Sequence, residues 1–502
     1  MALKERLLRF WQDYRRDKFG MLGLALLLVF VAIALLYPFI GNMKVIENWD
    51  NIAWFSLYPK AVPPCWSSIF TGKSFEPTII RGGDAVIVKT SRGFDNTLGL
   101  SYYNVTVIVP FGVVGDTPPS DVAVVANISY SVIGVARPVA VDKMVVVRPD
   151  GKVVEFVPPG SRADIGTVFT GFPEYNASIG RYTFKLSIEA SNQRLILRYL
   201  LPRLMQKGVP VGFADIATIA LRLYNAIFDK NFTGYLLTGK SSGVLRGEYR
   251  WIMSFIVYGN KSSFVFKPEK YVVIGSCYGV LGTDVYGRDL WQGLLYGVKW
   301  ALIVGLATSI LSVTFGTLYG IVGGYFGGAV DEVLLRVAQI VYSLPPLPIL
   351  ILLAALYRPS IWLIILALVA FSWPGTAFVT RAMALQIRQE PYVESAVALG
   401  ASTARVLLFY VLPQVLPYVF ASIALSVPGA IIAEASLSFL GVGDPSILTW
   451  GKILYEAQVN NAALNGYWWW VVPPGLAIAL VGLSFIFIGS ALDRILNPRL
   501  RR

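Results

Sequence analysis

Asp284, Arg288 and Asp289 place two carboxylates and a guanidinium close together, and paired carboxylates are a common means of general acid–base chemistry. The rest of the chain lends that reading little support. Its 502 residues include no histidine, so the common histidine-containing zinc, triad and metalloprotease arrangements are excluded. The 2 cysteines are too few for a four-cysteine zinc site. No catalytic residue and no metal site is expected. Asp284, Arg288 and Asp289 read better as groups that cap and pair within an amphipathic segment. Glu434 is an ionisable residue at the end of a long apolar run and calls for a partner, with Arg288 or a neighbouring subunit as the choices. Gly234–Ser241 reads GYLLTGKS and satisfies the phosphate-cradling pattern G-x-x-x-x-G-K-[ST]. Such a loop needs a strand before it and a helix after it to aim backbone amides at phosphate. Here the preceding stretch has helical periodicity and Ser242-Gly243 starts a helix poorly, so no nucleotide site is expected.

A second pattern is mechanical. Glu390–Pro413 reads EPYVESAVALGASTARVLLFYVLP and lies between two long apolar runs. It predicts a short helix carrying Glu394, Ser395 and Ala396 that ends at Gly400, where glycine takes a left-handed turn without steric cost. A second helix starts at Ser402 or Thr403, both good N-caps. Two short helices at an angle form a knob that fits a groove on a partner. The plainer alternative is a linker between membrane spans.

The elements around these residues are those of a membrane protein. Hydrophobic residues make up 55% and charged residues 15% of the chain, with a mean hydropathy of +0.60. A spanning helix needs about 20 apolar residues. Uncharged runs occupy Phe19–Met43, Trp300–Val330, Val337–Tyr357, Pro359–Thr380, Val406–Ala433 and Ala457–Leu492, the last centred on Trp468–Ile488. They predict six spans, with the third and fourth joined by a tight turn at Arg358-Pro359. Basic residues cluster in the N-terminal tail (Lys4, Arg6, Arg9, Arg15, Arg16, Lys18), the C-terminal tail (Arg494, Arg499, Arg501, Arg502) and at Arg381, Arg388 and Arg405. An even span count puts all three on one side, the cytoplasm. Tyr467–Trp470 then falls at the outer interface. Lipid headgroups and topology account for the net charge of +13 without nucleic acid. The first span has no clear cleavage site and reads as a retained helix rather than a signal peptide.

Between the first two spans lie over two hundred residues, placed outside the cell by this topology. Val122–Val135, Met144–Val157 and Tyr182–Ile188 alternate like strands, and Asp150-Gly151 marks a hairpin. Gln193–Lys207 and Phe213–Phe228 show helical spacing. A β-sandwich with a small helical portion is expected. The Asn-X-Ser/Thr sequons Asn104, Asn127, Asn176, Asn231 and Asn260 all fall in this segment, which fits N-glycosylation of an exported domain. The composition is compatible with an archaeal source.

Several motifs in order carry a resemblance. LGTDVYGRD (Leu281–Asp289), GGYFGGAVD (Gly323–Asp331), EASLSFLGVG (Glu434–Gly443) before Trp450-Gly451, DRILNPRL (Asp493–Leu500) and the Glu394–Gly400–Leu412–Pro413 spacing resemble the dipeptide/oligopeptide permease family of ABC importers, specifically its second permease subunit. The resemblance is close over 278–502 and loose over 1–66. It implies an all-α polytopic type I permease with six transmembrane helices, here with an inserted extracellular β-rich (α+β) domain. The expected segments are 1–66, an inserted domain at 67–276, and a core at 277–502 with a coupling loop at 381–408. The resemblance makes Glu394, Ser395, Ala396, Gly400, Ala401, Ser402 and Thr403 the contact with an ATPase. It also makes Asp284, Arg288, Asp289 and Glu434 structural groups of the outer face. ATP and Mg would be bound by two separate cytoplasmic ATPase subunits, with no cofactor in this chain. Further implied partners are a homologous permease, forming a heterodimer, an extracellular substrate-binding protein and the lipid bilayer. Archaeal members also import oligosaccharides, so the substrate class stays open. The chain departs from the pattern at Ser395, and at Phe409 and Tyr410, where the family has a basic residue and a histidine. Ala61–Trp66 and Cys277–Gly282 look like one family segment split by the insertion. Cys65 and Cys277 would then meet at the neck of the inserted domain as a disulfide, two free thiols being the alternative.

Two other classes remain in view. A membrane glycosyl- or acyltransferase needs a carboxylate cluster or metal site near the outer surface, and only Asp284 and Asp289 offer one. A secondary transporter would be expected to carry charges within its spans, and these spans are nearly charge-free.

Overall fold

The structure, a computed structural model, describes residues 10–96, 99–131, 139–164, 180–188, 222–258 and 263–496. The chain divides into two compact units, Met1–Asp50 with Asp289–Arg502, and Asn51–Arg288.

The first unit is helical. Among the described residues five helices are long and apolar enough to cross a membrane: α1 (Lys18–Ile40), α2 (Leu290–Phe326), α5 (Ile361–Arg388), α7 (Thr403–Phe439) and α9 (Trp468–Leu496). Between α2 and α5 lie α3 (Gly328–Ser343) and α4 (Pro346–Leu356), bent by 73°, and counting this pair as one span makes six. The expected continuous run Val337–Tyr357 is thus broken. Pro345 and Pro346 are the cause, because a residue before proline is pushed out of the helical region. Leu344 (φ −72°, ψ 132°) and Pro345 (φ −72°, ψ 113°) are both extended. The run Ala457–Leu492 likewise divides, between α8 (Trp450–Val459) and α9. Helix α7 continues past Ala433 to Phe439 and takes in Glu434.

Small residues let these helices approach closely, as is usual where lipid supplies no hydrophobic drive between helices. Gly316, Gly320 and Gly324 form one stripe on α2. A Cβ on them would collide with the carbonyl oxygens of Trp373, Ala377 and Arg381 on α5. Thr380 Oγ1 uses the contact to donate to Gly316 O (3.3 Å) as well as Thr376 O (2.9 Å). Similar contacts join Gly23 of α1 to Ser484 of α9, Gly305 of α2 to Val427 of α7, and Gly489 of α9 to Leu425 of α7.

The second unit is a sandwich of two antiparallel sheets. Its strands are β1 (Ile79–Gly82), β2 (Ile87–Asp95), β3 (Leu100–Val113), β4 (Asp121–Ser131), β5 (Val139–Val147), β6 (Val153–Val157), β7 (Ala163–Asp164), β8 (Gly180–Ser187), β9 (Gly247–Tyr258) and β10 (Ser263–Ile274). One sheet runs β1-β10-β4-β8, the other β2-β3-β9-β5-β6 with β7 on β5. Alternation decides which face is buried. Val105, Val107, Val109 and Phe111 of β3 point inward, with Val109 opposite Trp251 and Phe111 opposite Tyr249 in the register. From the other sheet Val122, Val124, Phe266 and Val273 join the same core, as do Leu223, Ile227 and Phe228 of the helical residues 222–228. The Asp150-Gly151 hairpin forms, with Gly151 at φ +78°. Gln193–Lys207 lies outside the described residues, and only 222–228 of the second predicted helix is described.

Candidate functional site

The loop after α5 has the geometry its spacing predicts. Pro391 opens the short helix α6 (Pro391–Ala398), with the Ser395 hydroxyl donating to Pro391 O at 2.7 Å. The helix closes in a Schellman turn. Ala401 N donates to Ala396 O (3.0 Å) and Gly400 N to Val397 O (2.9 Å), with Gly400 at φ +85°. Ser402 then caps α7 by accepting from Arg405 N, and Thr403 is its first residue. Glu394, Ser395, Gly400, Ser402 and Thr403 are exposed. Leu399 at the tip is 88% exposed. The knob is rigidly mounted, because Val393 and Val406 are buried in one cluster with Val313 and Ile321 of α2 and Ala384 of α5.

Residues 407–411 widen into a π-helical turn immediately before Leu412-Pro413. Pro413 has no N–H to return to the carbonyl four residues back, and a π turn relieves the resulting clash. Phe409 and Tyr410, the residues that depart from the expected pattern, lie in this turn, and Phe409 is 71% exposed.

One element of this site went unpaired in the sequence. Arg381 Nε and Nη2 bind Asp331 Oδ1 and Oδ2 at 2.5 and 2.6 Å, a bidentate bridge between α5 and α3. A signal existed: Asp331 and Arg381 are the first charges after the uncharged runs Trp300–Val330 and Pro359–Thr380, hence at matching ends of two predicted spans. Arg388 lies near the same region and donates to Phe326 O at 3.4 Å. Asp444 was also missed, and its Oδ2 accepts from Ile361 N at the start of α5 (2.9 Å).

The proposed outer-face groups serve structure. In the sandwich unit, Arg288 Nε donates to Asp284 Oδ2 at 2.5 Å, while Asp284 Oδ1 accepts from the Tyr286 and Arg288 backbone N–H groups at 2.9 Å. Both side chains are buried, and the guanidinium lies 4.7 Å from the Tyr286 ring centroid. Burial pushes the Asp284 carboxyl up from the ordinary carboxylate range, against the opposing pull of Arg288 and the two N–H groups. In the helical unit, Asp289 caps α2 by accepting from Trp291 N (2.9 Å). Glu434 is buried and accepts from Ser438 Oγ at 2.7 Å, with the Thr449 side chain also bonded to it. The sequence left Arg288 and a neighbouring subunit open as partners of Glu434; within this chain hydroxyls of Ser438 and Thr449 bond to it.

Cys65 and Cys277 form a disulfide with Cα atoms 4.9 Å apart. The strands of chain that carry them are laced together: Thr283 N donates to Val62 O (3.0 Å), Tyr278 N to Pro63 O (3.0 Å) and Ala61 N to Asp284 O (2.7 Å). The two halves of the split motif are thus rejoined as neighbours. Among the sequons, Asn104 is within β3, Asn127 Nδ2 donates to Glu269 Oε1 (2.6 Å) and Asn231 is an exposed N-cap. Asn176 and Asn260 lie outside the described residues. Gly234–Ser241 is the end of helix Phe232–Thr238, stopped by Gly239 at φ +73°, with Ser241 Oγ bound to Asp229. It is not a strand–loop–helix cradle.

Comparison with known proteins covers the helical unit. Residues 291–502 match the family described as "Binding-protein-dependent transport system inner membrane component", and residues 6–53 match the "N-terminal TM domain of oligopeptide transport permease C". The dipeptide transport system permease protein DppC of Bacillus subtilis is 36% identical over 222 residues, 44% of this chain and 69% of the relative. The oligopeptide transport system permease protein OppC of Haemophilus influenzae is 35% identical over 223 residues, 44% of this chain and 71% of the relative. Among solved structures, a chain of the inward-facing MetNI methionine ABC transporter aligns at 18% identity, covering 41% of this chain and 96% of its own, with a TM-score of 0.35.

Proposed function

The chain belongs to the dipeptide/oligopeptide permease family of ABC transporters, and from that premise we propose how this permease subunit works. It is a transport subunit and not an enzyme. In our reading it forms half of a translocation path for peptides, in a heterodimer with a second, related permease. Six spans, counting α3/α4 as one, leave both tails and the knob in the cytoplasm and the sandwich unit outside. Two ATPase subunits bind ATP and Mg. A binding protein delivers substrate from outside.

The observation that carries the mechanism is the mounting of the knob. Its outer face, with Glu394, Ser395, Gly400, Ser402 and Thr403, is exposed about a glycine turn, while Val393 and Val406 are buried among α2, α5 and α7. Of the expected contact residues Ala396 is buried and Ala401 half-buried, so these two face inward. Closure of the two ATPase subunits on ATP would push on Ala401–Thr403. A rigid mount passes that displacement to the spans, which reorient between inward- and outward-facing states. The chain need supply no proton transfer or nucleophile. Its work is to convert a contact at Gly400 into helix movement.

Affinity purification of the tagged full-length chain from its native membrane tests the assembly. One second permease and two ATPase chains should copurify. A chain that purifies alone, or as a homodimer active in transport, would overturn the reading.

A further inference from the structure

We infer that the Asp331–Arg381 bridge is the strut that carries movement of the 389–406 knob into the bent pair α3/α4, which makes both residues positioning residues for transport. The inference rests on the permease reading above.

Three observations lead to it. First, α5 meets the knob across the short break at Gln389-Glu390, and Arg381 lies two turns before the end of α5. A push on the knob reaches Arg381 through the buried cluster that joins Val393 and Val406 to Ala384, one turn beyond Arg381 on the same helix. Second, α2 and α5 are locked together by the Gly316–Gly320–Gly324 stripe, whereas α3 is attached lightly. Of its sixteen residues only Ala338 is buried, against Trp373 and Ala377 of α5. Val333, Val337, Ile340 and Tyr342 all remain exposed. Beyond the Ala338 cluster, which Val341 and Phe378 also join, α3 is held by the edge-on contact of the Tyr342 and Phe378 rings (centroids 5.6 Å apart), by the Tyr319 hydroxyl, which donates to Leu334 O at 2.9 Å, and by the bidentate bridge. Third, α3 has a joint at each end. Gly327 at φ +67° joins it to α2, and the extended Leu344–Pro345 joins it to α4. A segment with two joints and few contacts follows whatever holds it. The bridge is the strongest and most directional of those holds, since a guanidinium fork fixes angle as well as distance. Side-chain exposures of 28% for Arg381 and 13% for Asp331 leave it only partly screened.

The test uses the whole complex in proteoliposomes: this chain, its partner permease, the ATPase subunits and the binding protein. The readout is substrate imported per ATP hydrolysed. Asp331→Asn should lower that ratio by about fivefold or more, the low end of a coupling between distant sites. The charge swap D331R/R381D should recover it to within about twofold, because the pair is remade in reverse. Arg381→Lys keeps the charge, guards against a folding defect in the neutral variant, and should lose about twofold through the missing fork. A bridge serving only stability would lower the yield of complex and leave the ratio untouched. An unchanged ratio in Asp331→Asn or Arg381→Lys overturns the strut alone. A wild-type complex that hydrolyses ATP and imports nothing would instead overturn the permease reading, and the strut with it.

Discussion

Replacing Gly400 isolates the coupling turn from everything else in the molecule. Its φ of +85° is the left-handed region. A Cβ built there meets nothing within 4 Å, so neither packing nor a collision enters the cost. What remains is the backbone penalty, about 1–2 kcal/mol for an L-residue and toward the upper end for a β-branched one. A loss of about 2 kcal/mol shifts a local equilibrium roughly 30-fold. The spans should stand, because Val393 and Val406 anchor the loop from both sides of the turn. Gly400→Val should therefore retain wild-type helix content and assembly while import falls about tenfold or more, the turn being out of register with the partner groove. Gly400→Asn should lose least, since asparagine tolerates the left-handed region, and Gly400→Ala should fall between. The assay is ATP-driven import in proteoliposomes beside circular dichroism of the same preparations. Import at the wild-type rate in Gly400→Val, or equal losses in Asn, Ala and Val, would refute the argument.

Other perturbations address the supports. Cys65→Ser with Cys277→Ser opens a loop with a sequence separation of 212. Loop-closure entropy sets an upper bound of about 5 kcal/mol, and the sandwich's own fold should reduce the measured loss to about 2–4 kcal/mol, read as a lower denaturant midpoint of the sandwich unit. Two alkylatable thiols in the non-reduced native protein would contradict the bridge. Asp284→Asn leaves the buried Arg288 without its carboxylate and should destabilise by about 3–5 kcal/mol, while Asp284→Asn with Arg288→Met should recover most of it. Equal unfolding midpoints for the two variants would count against a paired role. Gly320→Leu sets a side chain against the Ala377 carbonyl and should abolish monodisperse purification. A well-behaved Gly320→Leu protein would mean α2 and α5 are not held at this distance.

The parts that were legible from the chain are those with local causes. The knob follows from Pro391, Gly400 and Ser402, each of which dictates its own backbone. The sandwich core follows from alternation, as β3 shows with Val105, Val107, Val109 and Phe111. The rest divides between local signals that the apolar composition masked and a pairing between distant residues. The third apolar run looked continuous because Pro345-Pro346 is uncharged, although two successive prolines impose the 73° bend. Glu434 called for a partner, with Arg288 and a neighbouring subunit as the choices, yet hydroxyls from Ser438 and Thr449 bond to it, and helical spacing of four residues makes Ser438 a neighbour that could have been foreseen. Asp331 and Arg381 lie fifty positions apart, and only their equal depth in adjacent helices points to the pairing.

Peptide movement by this chain, driven by separate ATP-hydrolysing subunits, is measured most directly as uptake of a labelled oligopeptide into proteoliposomes bearing the complete assembly, compared with assemblies lacking this chain. ATP-dependent uptake should disappear when the chain is omitted. Uptake that persists without it, or that proceeds through this chain alone without ATPase subunits, would mean that the chain is not the permease of an ATP-driven importer.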